Sequence, residues 1–462
     1  MQDNIRQEST RRTGASRAFA RTALAAAMAL ALGLPQAGMA QTAREAELER
    51  RVAELERLVS ELVGKQQETS TKTEAVAAEL DKVKAVPKVQ SAPILASGAS
   101  FSYGGFVKLD AMITDTSDGR IAEGSAGRQF YVPSTIPVGG AGADGGDPYT
   151  DIHAQFSRIW FAADATTEAG NKFRGYIEAD LFGGGSANLG NEVSTNTHAI
   201  TMRQAFVTWN GWLAGQTWSN FQDVAALPDA VDFVGVTEGT TFVRQAQIRY
   251  TKGPWSFSLE NPHTTVSAVA TAARNNTSGD NVLPDVTARY MMKGDWGHFT
   301  VAGMLRQLKV GDETDSGAAI SASGKYVLGS SDDLRYMASY GSGIGRYLGF
   351  GLGADAEQDA NGDLHAQNVW GGFVGWRHAF SPKLRSNLMY SFAGIDNDKS
   401  LPGFGPTSLG ATEKATSWHA NLIYSPFPRL DVGAEIGFGV RELEDGREGD
   451  LTRFHTTVKY SF

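Results

Sequence analysis

From Gly105 to the C-terminus the chain repeats one device: short runs of alternating apolar and polar residues, separated by Gly, Asp, Asn and Pro. Val107, Leu109, Ala111 and Ile113 alternate with Lys108 and Asp110, and Ile159, Phe161 and Ala163 with Arg158 and Trp160. Phe173, Ile177, Ala179 and Leu181 alternate with Arg174, Tyr176, Glu178 and Asp180. The pattern returns over residues 286–290, 299–306 and 430–438. A period of two sends successive side chains to opposite faces of a strand. Each run therefore predicts a β-strand with one apolar and one charged face.

Upstream the period differs. With Leu48 as a d position, Leu48, Val52, Leu55, Val59 and Leu62 follow the 4-3 spacing of a coiled coil. The spacing continues through a polar middle (Gln66, Thr69, Thr73) to Val76, Leu80 and Val83. A lone helix lying on a globular domain would drift toward 3.6 spacing and show a wider apolar stripe. Arg51-Val52-Ala53-Glu54-Leu55-Glu56 resembles the Arg-h-x-x-h-Glu pattern of trimeric coiled coils, so three strands are expected. Pro87 and Pro93 stop helix propagation. Residues 41–84 are thus expected to form a coiled coil, 85–98 a linker and 99–462 the strand-rich domain.

Period alone does not say which face of the strands meets water. Three features favour a transmembrane barrel, apolar face outward, over a soluble sandwich. The charged faces carry both signs at mid-strand, as the wall of a water-filled channel can. Tight turns such as Ser381-Pro382 alternate with long Gly- and Asp-rich stretches such as GGAGADGGDPYTD, the unequal loops of outer-membrane barrels. Phe454, Thr456, Val458, Tyr460 and Phe462 alternate up to the last residue. A terminal Phe with Tyr two places before it resembles the signal read by the barrel insertion machinery, which makes Tyr460 and Phe462 candidate recognition residues. At roughly 20–23 residues per strand and loop, the domain holds about 16 antiparallel strands, or about 18 if the loops are short, the size of a porin. The expected fold is an all-β transmembrane barrel behind a short α-helical coiled coil.

Composition and charge narrow the function. Residues 1–40 combine five Arg, an apolar core over residues 22–34 and small residues at Gly38 and Ala40, the layout of a secretory signal. The chain has no Cys, which excludes a lipoprotein anchor, disulfides and thiolate metal sites. Its net charge of -9 falls to about -12 once residues 1–40 are removed, so no nucleic acid partner is expected. The His residues are scattered without HExxH, and no Gly-x-Ser-x-Gly elbow occurs. No enzyme activity, cofactor or metal is expected. Gly349-Phe-Gly351-Leu-Gly353 reads as a strand with small lumen residues, and Asp359-Ala-Asn-Gly-Asp363 as a hairpin turn.

The chemistry left is selection during diffusion. Side-chain parity places Lys108, Arg158, Arg174, Arg203, Arg249, Arg289, Arg306, Arg385, Arg453 and Lys459 in the lumen, with Asp110, Glu178, Asp180, Glu260, Asp285 and Glu435 as acids. The wall leans cationic while surplus acid lies in loops, which would concentrate small anions in the pore. Between two strands, residues 219–241 form a long, moderately apolar loop carrying Asp223, Asp229, Asp232 and Glu238. It resembles the inward-folded constriction loop of porins, where loop acids face wall arginines.

GFVKLDAM, RQAFVTWNGWLAGQTWSNF, RQAQIRYT and NLIYSPFPRLDVGAEIGFGVRE resemble the DcaP-like family of trimeric outer-membrane porins, LAGQTWSNF being the most specific piece. The resemblance implies a homotrimer of about 16-stranded barrels, set in outer-membrane lipid of a Gram-negative envelope, with the coiled coil in the periplasm. It implies passage of small anionic solutes, notably dicarboxylates and aromatic acids. Arg203 and Arg249 fall inside matching segments and are the first candidates to face solute. The rival expectation is a structural anchor whose coiled coil tethers the envelope.

Overall fold

Alternating apolar and polar residues become strands here because each strand can bury its charged face inward and turn its apolar face outward. The computed structural model describes residues 99–140, 145–183, 198–275 and 279–462, together with Arg50, Glu54 and Arg57, whose backbone is helical. The expected signal (1–40), the linker (85–98) and the coiled-coil core positions Leu48, Val52, Leu55, Val59 and Leu62 lie outside the described residues.

In chain order the strands are β1 (Ser100–Thr116), β2 (Tyr149–His153), β3 (Arg158–Thr166), β4 (Lys172–Gly183), β5 (Ala199–Trp209), β6 (Trp212–Trp218), β7 (Arg244–Lys252) and β8 (Trp255–Glu260). Then come β9 (Val266–Ala268), β10 (Ala273–Asn275), β11 (Asp285–Gly294), β12 (Gly297–Val310), β13 (Glu313–Leu328) and β14 (Asp332–Ser342). The last are β15 (Ala356–Gln358), β16 (Leu364–Ala366), β17 (Asn368–Ser381), β18 (Leu384–Asp396), β19 (Thr412–Tyr424), β20 (Leu430–Leu443) and β21 (Glu448–Ser461).

All but β9, β10, β15 and β16 join one antiparallel sheet. β3 pairs with residues 100–106 of β1 and β2 with residues 110–114, so together they fill one position in the wall. The sheet is thus a closed barrel of 16 strand positions. Closure comes from β21, whose residues 451–461 pair with residues 106–116 of β1. The last residue takes part, since Phe462 and Gly105 exchange two backbone bonds of 3.0 and 3.3 Å. Closure leaves no unpaired edge, which a strand must avoid in lipid.

The two faces sort as the alternation requires. On β1, Val107 and Leu109 are 58% and 49% exposed, against 9% and 0% for Lys108 and Asp110. The outward face is therefore a hydrocarbon-compatible belt and the inward face is charged. Short turns gather at one rim. Residues 210–211 make a two-residue hairpin with φ of 44° at Asn210 and 90° at Gly211, the left-handed pair such a turn requires. Trp209, Trp212, Trp255, Trp296, Trp376, Tyr424, Phe427, Tyr460 and Phe462 stand exposed at this rim as an aromatic girdle. The opposite rim carries the long loops, where β9, β10, β15 and β16 form a separate four-stranded sheet.

Two loop expectations divide. Residues 359–363 do turn the β15–β16 hairpin, Asp359 accepting backbone N–H bonds from Asn361 and Asp363 at 2.9 Å each. Residues 349–353 are turns and bends, not a strand. Gly349, Phe350 and Gly351 have φ of 65°, 56° and 73°, which coils the chain and breaks any ladder.

Candidate functional site

The loop between β6 and β7 lies inside the barrel and is bonded around much of the inner wall. Asn220 binds Ser256 and Thr287 of β8 and β11. Asp223 accepts from His298 at 2.9 Å and from Ser323 at 3.0 Å, on β12 and β13. Arg335 of β14 donates to Leu227 O, and Asp229 pairs with Arg385 of β18. The Val231 N–H donates to Glu435 of β20 at 2.7 Å, while Lys108 donates to Val231 O at 3.0 Å. At the loop's far end Glu238 accepts from Ser417 of β19 at 2.8 Å and from Tyr131. Burial lifts the Glu238 carboxyl above its usual range despite those bonds. Gly239 donates its N–H to Ser391 at 2.9 Å and sits against the backbone of Gly372 so closely that a Cβ would collide with it. The wall offers histidines as well as arginines to the loop acids.

Two further segments fill the same space. Within residues 117–148, Phe130, Tyr131, Val132 and Ile136 are almost fully enclosed. Phe130 packs edge-on against Phe156, Phe182, Phe233 and Phe350 at centroid distances of 5.1–6.1 Å. Residues 343–355 supply Ile344, Tyr347, Leu348 and Leu352 to a cluster that also holds Phe221 of the loop. These segments do not alternate, so strand parity says nothing of where their side chains point. Their signal was a dense apolar run, FYVPSTIPV, in a loop otherwise of Gly, Ser and Asp. Such a run needs a surface to bury against, and the lumen supplies it.

The charged wall residues fall into two groups. Most are paired. Lys108 meets Asp110, Arg174 meets Asp164 at 3.3 Å, and Arg158 lies 3.6 Å from both Glu178 and Asp180. Arg203 is 1% exposed, paired with Glu178 at 3.3 Å and with Asp180, and covered by the Phe233 ring. A bulge in the β4–β5 register places it there. Arg306 is enclosed between Asp285 at 3.2 Å and Asp355 at 2.9 Å. Arg385 shares Asp229 and Asp431.

The second group has no carboxylate within 4 Å among the described residues. Arg249 of β7 bonds Gln247 and Trp218 O, and Arg289 of β11 bonds Gln222 O at 3.2 Å. β8 lies between them, Arg249 facing Ser258 and Arg289 facing Ser256. Arg244, at the loop end of β7, lies over the Trp218 ring at 4.8 Å and close enough to feel the charges of Arg203, Asp180, Arg158 and Glu178. Arg244 is not among the lumen residues expected from the sequence, being five positions, an odd number, from Arg249. Arg244 is the first residue of β7 and pairs with Trp218 at the end of the ladder.

At the loop rim, burial beside Asp398 and Asp396 pushes the Glu357 carboxyl up to about 7, against an N–H bond from Asp398 that lowers it. Among the described residues no cluster of three metal-ligating side chains occurs.

A closed, lipid-faced antiparallel barrel with a charged interior and an inward loop defines an outer-membrane channel of the porin class. The chain belongs to the DcaP outer membrane protein family, whose sequence profile matches residues 30–462. Its fold is similar to the crystal structure of the outer membrane channel DcaP of Acinetobacter baumannii, with 24% identity, a TM-score of 0.63 and coverage of 79% of this chain and 98% of that one. It is more distantly similar to a loop-deleted OmpT of Vibrio cholerae, at 12% identity, TM-score 0.48 and coverage of 79% and 100%. The anion-selective porin from Comamonas acidovorans gives 11% identity, TM-score 0.47 and coverage of 79% and 100%. No curated protein sequence matches the chain.

Proposed function

We propose that this channel is a homotrimeric porin that passes small anionic solutes, dicarboxylates or aromatic acids, by passive diffusion. The observation that carries the reading is the contrast within the wall. Arg249 and Arg289 face inward without an acid partner among the described residues, whereas Arg158, Arg174, Arg203, Arg306 and Lys108 are each matched by carboxylates. A matched guanidinium is largely neutralised at a distance, so the net field along the path is set by the unmatched ones. Arg249, Arg289 and Arg244 therefore face the solute directly, and the paired arginines hold the wall and loops in place.

The loop bearing Asp223, Asp229, Asp232 and Glu238 acts as the constriction. Its acids are spent on wall contacts, which leaves its backbone and apolar side chains to narrow the passage. The export signal, the periplasmic coiled coil at residues 41–84 and the C-terminal pair Tyr460 and Phe462 complete the reading as biogenesis and assembly elements. Reversal potentials in planar bilayers under a KCl gradient test it. Chloride is expected to be preferred over potassium, with conductance in steps of three, and a cation preference overturns the charge assignment.

A further inference from the structure

The loop rim holds a half-open cavity of about 300 Å³ that is separate from the arginines of the proposed diffusion path. Several separate parts of the chain build it: Ser134, the small sheet, residues 352–354, the end of β18 with the β18–β19 loop, and the ends of β19 and β20. Arg274 of β10 and Arg441 of β20 both line it. Neither has a carboxylate within 4 Å among the described residues. Arg274 donates to Gly351 O, and Arg441 donates to Thr412 Oγ1 and to the carbonyls of Ser134 and Ile136 at 3.1 Å. Neutral carbonyls orient a guanidinium and leave its charge uncompensated. The remaining lining mixes apolar groups (Val269, Leu352, Ile395, Phe404) and amides (Gln367, Asn397) with hydroxyls and one acid.

From this geometry we propose that the cavity is a binding site for a small monocarboxylate with a compact apolar body, taken up at the mouth before it enters the barrel. Two cationic side chains call for an anion. Glu357 is the acid of the lining, and once ionised, above about pH 7, its charge makes one carboxylate a closer electrostatic match than two. The volume holds about ten waters, the size of a benzoate-like molecule, and the mixed lining suits an acid with one charged end. The inference rests on the anion-porin reading and adds to it a saturable site at the loop rim, apart from Arg244, Arg249 and Arg289.

Gly410 offers a clean steric test, because a Cβ built there meets open space and the residue lines the cavity. Benzoate and its neutral isostere benzamide would be titrated calorimetrically into the full-length protein in detergent, with heat-modifiable gel mobility confirming folded barrels. Wild type is expected to bind benzoate saturably at one site per chain and benzamide at least tenfold more weakly. Arg274→Gln should weaken benzoate about tenfold or more, the scale of one charge-assisted contact, and Gly410→Phe should abolish the site. Arg249→Gln/Arg289→Gln should retain it. Absence of saturable binding, equal binding of benzamide, or persistence in both cavity variants overturns the proposal. Anion preference in bilayers would then stand or fall separately, since it is read from ion permeability without benzoate.

Discussion

Replacing Arg249 and Arg289 together by Gln removes two positive charges from the lumen without orphaning an acid. Neither guanidinium lies within 4 Å of a carboxylate among the described residues, and Gln can still donate toward Trp218 O and Gln222 O. An ion passing at ~7 Å feels each charge by about 0.6 kcal/mol in water, and about 0.3 kcal/mol after screening at 0.1 M salt. Two charges acting with opposite sign on chloride and potassium change their difference by about 1.2 kcal/mol, a roughly sevenfold fall in the chloride-to-potassium permeability ratio. The assay is the reversal potential of single channels in a tenfold KCl gradient, with variant and wild type matched for heat-modifiable mobility. The same pair of measurements at 1 M salt should shrink the effect, because the screening length falls to ~3 Å. A ratio altered by less than twofold at low salt, or one that moves toward anions, refutes the reasoning and assigns selectivity to other groups.

Three further outcomes follow from the packing. Gly239→Val should lift the end of the inward loop off Gly372, raising open-channel conductance and current noise; unchanged conductance would mean that the loop does not limit flow. Arg306→Met leaves the buried Asp285 and Asp355 with Arg346 as their remaining cation, a loss of about 3 kcal/mol, the low end for a broken buried pair. It should lower the temperature at which folded mobility disappears on gels, and an unshifted transition would argue against the buried pairing. Glu357, raised to about 7 by burial near Asp396 and Asp398, with His365 opposing, favours the folded loop sheet while protonated. That contribution is complete below the ordinary glutamate range and is lost as pH rises through about 7. Amide exchange in β9, β15 and β16 should therefore quicken between pH 5 and 8 beyond the intrinsic base-catalysed increase, and Glu357→Gln should remove that excess.

The barrel wall is written in the order of residues along each strand. Alternation is a local property, fixed by which side of a strand each residue occupies, and so the inward set of Lys108, Arg158, Arg174, Arg289 and Arg306 was legible from parity. The last strand is legible too, because Phe454 to Phe462 alternates, whereas its pairing with β1, which closes the barrel, is read from the structure. Parity cannot say which inward arginine meets an acid, since pairing depends on register between strands and on loops folded back from the rim. Only the tertiary structure separated Arg203, closed off by Asp180 and Phe233, from Arg249 and Arg289. Only it showed that residues 130–136 and 343–355 turn inward, and that Arg274 and Arg441, 167 positions apart in the chain, share one cavity. The physical reason is that a strand's side chains point by geometry, whereas a loop goes wherever its apolar residues find cover and its polar ones find partners.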